Sequence, residues 1–460
     1  MRNWMKLFGI LWAGMPLLQV EAQNTLTTAE QKAGWELLFN GKDLTGWKQL
    51  NGQAKYRVEK GEIVGTTVAN TPNSFLATEK TYGDFVLELE LKVDPSMNSG
   101  IQFRSLSMPD YQNGRVHGYQ MEIDPSDRAW SGGIYDEGRR DWLYIPNLNP
   151  LAKTAFNKNG WNTYRIEAIG STLRTWVNGQ PIAYLVDDLT PAGFIALQVH
   201  SIGANQQPGT EIRWRNIKIN TKQVKPSPLD QTPVINLLSN HLSDQERHQG
   251  FELLFDGQSL NHWRSVHSQA APNNRWQVKE GTIQIAGTDG SETGNDIVSK
   301  KAYGTFELVF DFKLTPGANS GVKYFVNEAF DSGGKSGIGL EYQVLDDERH
   351  PDAKMGVVGN RTLASLYDLI PSKKVEKRFQ RPIGEWNQGR IRVYPDQTVE
   401  HWLNGFLVVR YERNSAIYHA LVARSKYQKY EGFGGAAEGL LLLQDHGDMV
   451  HYKNIKIRPL

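Results

Sequence analysis

Gly118–Arg140 reads GYQMEIDPSDRAWSGGIYDEGRR. Its first part alternates. Tyr119, Met121 and Ile123 fall on one side and Gln120, Glu122 and Asp124 on the other, the period-two signature of a strand with one buried face. Pro125 ends the strand, and a turn rich in Asp, Arg, Trp and Gly follows. The polar side lacks the Thr, Lys and Ser usual on a solvated face; an amide and two carboxylates stand in a row. Segments on both sides of this stretch are built alike: short, alternating, and separated by Gly, Asn, Asp and Pro turns, with no sustained helical period. That pattern predicts an all-β chain of the antiparallel jelly-roll sandwich type.

Working outward, the sequence repeats itself. GWELLFNGKDLTGW (Gly34–Trp47) returns as GFELLFDGQSLNHW (Gly250–Trp263), and Asn98-Ser99-Gly100 as Asn319-Ser320-Gly321. WVNG (Trp176–Gly179) returns as WLNG (Trp402–Gly405), GFIALQVH (Gly193–His200) as GLLLLQDH (Gly439–His446), and NIKI closes both copies. The order is the same throughout, so the chain is two tandem copies of one β-sandwich domain. The expected bounds are 23–220 and 240–460. Each copy opens with a capping-box pattern, Thr27 with Glu30 and Ser243 with Glu246. Between the copies, 221–239 carries Pro226, Pro228 and Pro233 and reads as a linker of limited flexibility.

Residues 1–22 read as a secretory signal peptide. Arg2 and Lys6 precede an apolar run, Leu7–Val20, and Ala22 offers a cleavage site; the run is too short to span a membrane. An exported protein, periplasmic or secreted, is expected. The chain has no cysteine, which excludes disulfides and a lipidated cysteine anchor. Charge is balanced, Lys+Arg 51 against Asp+Glu 50, with no basic block, so nucleic acid is not an expected partner. Thirteen Trp, eighteen Tyr and 44 Gly suit a turn-rich β protein and equally a surface that stacks on sugar rings.

Other strands repeat the polar-face arrangement. Gln102 and Arg104 lie opposite Ile101 and Phe103; Gln198 and His200 lie opposite Ile195, Leu197 and Val199. In the second copy Glu341 and Gln343 stand where the first has Gln120 and Glu122, an exchange of carboxylate and amide. Gln444 and His446 match Gln198 and His200, Lys323 replaces Gln102, and Phe325 replaces Arg104. Asn98-Ser99-Gly100 reads as a turn ahead of a strand. An insert with Asp347, Glu348, Arg349 and His350, and another before Gly439, distinguish the second copy. Such rim loops set specificity, so the two sites are expected to differ.

These motifs resemble the 3-keto-disaccharide hydrolase family. LLFNGKDLTGW, NSG, GYQMEIDPSDRAWSGGIYDEGRR, TWVNG and GFIALQVH carry the likeness in the first copy. NSGVKYF, LEYQVLDDERHPDAK, SLYDLIP, HWLNG and LLLQDHGD carry it in the second, which resembles another branch. The resemblance implies two tandem concanavalin A-like jelly rolls, an exported enzyme, and action on glycosides already oxidised at carbon 3. Metal dependence is implied for some members, which makes a divalent ion of unknown identity the candidate cofactor.

The residues suit that chemistry. A ketone at carbon 3 acidifies the hydrogen on carbon 2; a base removes it, and the aglycone leaves from carbon 1, with or without later addition of water. Glu122 or His200 is the expected base, Arg104 the expected charge stabiliser, and Glu341 and His446 their second-copy counterparts. Gln102, Gln120, Gln198, Trp130, Tyr135, Lys323, Gln343, Gln444 and Tyr367 are the candidate substrate contacts for an oligosaccharide or glycoside. As metal ligands the candidates are Glu122, Asp124 and His200, with Glu341, Gln343 and His446 in the second copy. Two alternatives stay open: a laminarinase-like glycosidase built on Glu122-Ile123-Asp124, and a non-catalytic carbohydrate-binding module in one or both copies.

Overall fold

In a computed structural model the described residues are 23–222, 224–287, 294–330, 336–373 and 380–460. The leader expected at 1–22 lies outside them. Among the described residues no helix is long and apolar enough to cross a membrane. Both capping boxes form: each hydroxyl accepts from the backbone of the Glu three residues on, whose carboxylate answers the cap amide.

Each copy is a jelly-roll sandwich of two sheets. In the first, a nine-stranded sheet faces a seven-stranded one that carries the alternating stretch. The seven run in the order Asp141–Tyr144, Ile134–Glu137, His117–Ile123, Ser99–Leu106, Phe194–Val199, Ser74–Thr78 and Trp47–Asn51. The predicted apolar sides meet in one core: Ile101, Phe103, Tyr119, Met121, Ile123, Leu197 and Val199 pack against Leu87, Leu89, Tyr164, Ile166 and Trp214. Burying each such side chain contributes about 1.5–3 kcal/mol, and period-two geometry then leaves Gln102, Gln120, Glu122 and Gln198 on the opposite face.

The second copy repeats the plan with an eight-stranded and a five-stranded sheet. The five are Trp263–Ser265, Ile297–Tyr303, Gly439–Leu443, Asn319–Asn327 and Ile338–Leu345, which match the first copy's strands from Trp47–Asn51 across to His117–Ile123. Where the first copy adds two further strands, the second has, among the described residues, isolated bridges from Tyr342 to Leu366 and from Leu366 to Ile370.

The proline-rich segment between the copies is pinned from Ser227 to Asn236. Arg174 donates to the carbonyls of Ser227 (2.7 Å) and Pro228 (3.1 Å) and pairs with Asp230 (2.8 Å). Val234–Asn236 then adds to the first copy's larger sheet as a strand parallel to Gln180–Val186. Arg390 of the second copy, held by Glu307, donates to the Val234 carbonyl (3.3 Å). Trp402 of the second copy packs into the first copy's core. A fragment spanning 23–222 therefore lacks a strand that 23–239 keeps. The longer fragment is expected to be more stable by about 2 kcal/mol or more, seen as a melting midpoint about 4–8 °C higher. Equal midpoints would mean that the docked strand contributes nothing to the first domain.

Candidate functional site

The site in the first copy is built by Asn98-Ser99-Gly100, which opens a strand rather than forming a turn. Gly100 pairs with Glu122 across the ladder, and a Cβ there would overlap the Gln120 side chain, so only glycine lets Gln120 lie flat across the strand. Ser99 Oγ donates to the Gln198 carbonyl (2.6 Å), tying in the neighbouring strand. Asn98 Nδ2 donates to Glu122 Oε1 (2.7 Å). From the other side runs a one-way relay: Ser105 Oγ to Gln102 Oε1 (2.8 Å), Gln102 Nε2 to Gln120 Oε1 (2.6 Å), Gln120 Nε2 to Glu122 Oε2 (3.0 Å). The relay ends on a carboxylate that is 4% exposed. Burial pushes the Glu122 pKa up to about 7, against the opposing pull of Asn98, Arg128 and Gln120. Arg128 Nη2 stands 3.2 Å from Glu122 and is the cation of this site.

In the second copy the register is the same and the chemistry is moved. Gly321 pairs with Gln343 and Lys323 with Glu341, as Gly100 pairs with Glu122 and Gln102 with Gln120. Asn319 again meets the side chain opposite it, here accepting from Gln343 Nε2 (3.0 Å), and Ser320 Oγ donates to the Gln444 carbonyl (2.7 Å). The carboxylate thus sits one same-face position along the strand, on the residue paired with Lys323, whose ammonium donates to the Gly337 carbonyl (3.0 Å) and lies 3.9 Å from Asp296. Burial raises the Glu341 pKa, with Lys323 and Lys426 opposing. Glu341, Lys323, Gln444, Lys426 and Tyr430 line a cavity of about 540 Å³.

At the rim of that copy His350, His446 and Asp448 each bring one donor atom within 4.8 Å of the others. Two imidazoles and a carboxylate are a donor set that first-row divalent ions accept. Asp448 Oδ2 accepts from the Asn319 amide (3.0 Å). His350 Nδ1 accepts from the Asp352 amide (3.2 Å). Ligation by this ring displaces that contact, directly through Nδ1, or through Nε2 because Nδ1 then carries the proton. Burial and the adjacent His446 hold the His350 pKa below the usual imidazole range, in the neutral form that binds metals.

Two stretches, residues 34–220 and 250–458, match the model of the 3-keto-alpha-glucoside-1,2-lyase-like domain. The chain belongs to that family. A 3-keto-disaccharide hydrolase of Bacteroides thetaiotaomicron is 34% identical over 234 residues, 46% of this chain and 79% of the relative. Among solved structures, a provisionally assigned glycosyl hydrolase from Parabacteroides distasonis is 30% identical and covers 48% of this chain and 100% of its own, at a TM-score of 0.43. A second such structure from that organism is 24% identical, with 46% and 99% covered and a TM-score of 0.33.

Several candidate residues of this family member stand elsewhere than the strand pattern implied. Arg104 does not face the polar row. It sits in a bulge at φ 44°, which rotates it to the sheet's end, where it is buried. There it donates to the carbonyls of Gly83 (2.9 Å) and Gly170 (2.7 Å) and to Asp84 (2.9 Å), a turn-fastening role. Asp124 is no free ligand. Both its oxygens are taken within its own turn by Ser126, Arg128 and the Trp130 amide, which outweigh burial and lower its pKa. Trp130 is buried against Trp142 and Phe406 rather than offered to a substrate. Among the described residues the cluster able to hold a metal contains His446 but not Glu341, and Glu122 and His200 belong to none.

The other candidates lie on or beside the polar faces. Gln198 and Gln343 are buried, each with an Oε1 that no hydrogen bond satisfies. His200 is half-buried at its strand end, with Nδ1 2.7 Å from the Ser201 carbonyl. Tyr135 and Tyr367 hold matching places, each hydroxyl bonded to a carboxylate, Asp141 (2.8 Å) and Asp352 (2.7 Å). Arg128, Asp448 and the Lys426–Tyr430 wall were not singled out from the sequence. The signals were a cation four residues after Asp124, a carboxylate two residues after His446, and the insert before Gly439.

Protonated Glu122 suits the fold, since its folded pKa exceeds the ordinary carboxyl value of 4.5. Its contribution to stability is complete below about 4.5 and lost as the pH rises through about 7. The melting-midpoint gap between the wild type and Glu122→Gln should change across that window and level off above it. A gap independent of pH would show that Glu122 titrates in the ordinary range.

Proposed function

We propose that the chain cleaves glycosides already oxidised at carbon 3, through proton abstraction at carbon 2. The reading rests on one observation above others: each copy buries a carboxylate of raised pKa on the outer face of a sheet, fixed by the same Asn-Ser-Gly scaffold. A base poised near neutral pH is what this proton transfer requires. In the first copy Glu122 takes the carbon 2 proton. The bonding pair moves onto the carbon 3 oxygen as an enolate, then returns to form the carbon 1–carbon 2 double bond as the bond to the aglycone oxygen breaks. The aglycone leaves with a proton, for which His200, at the strand end beyond Gln198, is the candidate donor. Arg128 stabilises the developing charge. Addition of water across the double bond gives net hydrolysis. The name of the relative in Bacteroides thetaiotaomicron, 3-keto-disaccharide hydrolase, supports the substrate class. The N-terminal charge and apolar run support export.

An ordinary retaining glycosidase needs a second carboxylate about 5–5.5 Å away and free to act. Asp124, the nearest along the strand, is committed to its own turn. Glu122→Gln should lower kcat/KM on a 3-keto-glycoside by about 10²–10⁴, and the double variant with Glu341→Gln should abolish it. Comparable rates on oxidised and unoxidised glycosides, or full activity of the double variant, would remove this mechanism.

For the second copy we propose a divalent ion held by His350, His446 and Asp448. When bound, it would supply positive charge for an enolate oxygen. The chain's own contribution there is a Glu341 base, a Lys323 ammonium and the orphaned Gln343 acceptor for a sugar hydroxyl. Calorimetric titration of metal-stripped protein with Mn²⁺, Co²⁺, Ni²⁺ or Zn²⁺ should give one site, weakened at least tenfold by His350→Ala or His446→Ala. Activity persisting in protein shown by elemental analysis to be metal-free would eliminate a catalytic ion.

A further inference from the structure

The polar face of the first copy does not stop at Glu122. Tyr135 pairs with Gln120, and Trp142 pairs with Tyr135, so two strand spacings, about 10 Å, carry the same face to the sheet's edge. At that edge the second copy closes over it, leaving a cleft of about 990 Å³ between the two. Tyr135, Asp141 and Trp142 line one wall; Arg381, Glu385 and Phe406 line the other. Arg381 is half-buried, donates to the Trp142 carbonyl (3.3 Å), and pairs with no carboxylate among the described residues. Asp141 uses one oxygen for the Tyr135 hydroxyl. Aromatic surface with a few unspent donors and acceptors is the lining of a site for a hydroxyl-rich ligand.

We propose that this cleft binds the sugar units beyond the cleaved bond. The substrate of the first copy is then an oligosaccharide, and the second copy supplies its remote subsites. The inference rests on the reading that the Glu122 face is the reactive one. Binding energy gathered far from the reacting carbons can be used to position them, which gives the contact between the copies a role in catalysis.

The test separates the cleft from the chemistry by using unoxidised glycans, which bind without reacting. The full chain is titrated calorimetrically with α-linked and β-linked gluco-oligosaccharides of two and of five units. The five-unit member of one series is expected to bind at least tenfold tighter than its two-unit member. Arg381→Ala and Trp142→Ala should each erase that difference while leaving two-unit binding unchanged, and Arg381→Ala should also leave the melting midpoint unchanged. Glu122→Gln should keep the length preference, whatever it does to turnover. Absence of length dependence in both series, or its survival in both cleft variants, overturns the proposal. Neither result bears on whether Glu122 is the base, which the rates on oxidised glycosides decide.

Discussion

Asn98, Ser99 and Gly100 decide what the outer face of the first copy's smaller sheet can hold. An unpartnered carboxylate in so buried a place would cost several kcal/mol. Here Asn98 supplies one donor, the missing side chain of Gly100 lets Gln120 reach across to supply another, and Ser99 fastens the strand that brings Gln198 alongside. With Arg128 as a third donor the group stays hydrogen-bonded, yet the three together do not outweigh its burial. That balance leaves its pKa near neutrality.

The second copy keeps the scaffold and redistributes what it carries. Lys323 takes the place of Gln102, and the carboxylate, Glu341, takes the paired place that Gln120 holds in the first copy. The same logic governs the sheet's far end. Phe325 holds the bulge of Arg104, at φ 51° against 44°, but joins the core instead of binding carbonyls. A guanidinium arrives there all the same, from Arg413, 3.8 Å above the Phe325 ring and bonded to the Gly434 and Ala436 carbonyls. A fold can thus retain a physical role at a place while the residue that fills it changes strand.

The sandwich and its duplication were legible because they follow from period-two burial and from motifs recurring in order; Tyr119, Met121 and Ile123 could only face a core. The polar row was legible for the same reason. Arg104 was misread because alternation assumes an unbroken ladder, and a bulge at a single residue reverses every face beyond it. Asp124 was misread because its row ends at Pro125, where the turn's own donors compete for its oxygens. Lys426 lies far from the Glu341 strand in sequence, and only the folding of the insert before Gly439 brings it there; Asp448 arrives through the turn after His446, held by the Asn319 amide. Arg128 is close in sequence, yet its direction depends on how the turn stacks it over Trp130, 4.4 Å away.

The exchange of carboxylate and amide between the copies has a stereochemical consequence. Same-face neighbours on a strand stand about 6.8 Å apart, farther than any two adjacent carbons of a pyranose. A sugar gripped through equivalent contacts by Asn98 in one copy and Asn319 in the other would offer its reactive hydrogen to the base in only one of them. For both bases to meet the same carbon, the ring must be shifted or turned over between the two sites. If Glu122 and Glu341 are the bases, the duplication separates the two copies by the position or the face of the sugar each would attack, with no change of fold and one residue exchanged for its neighbour's chemistry.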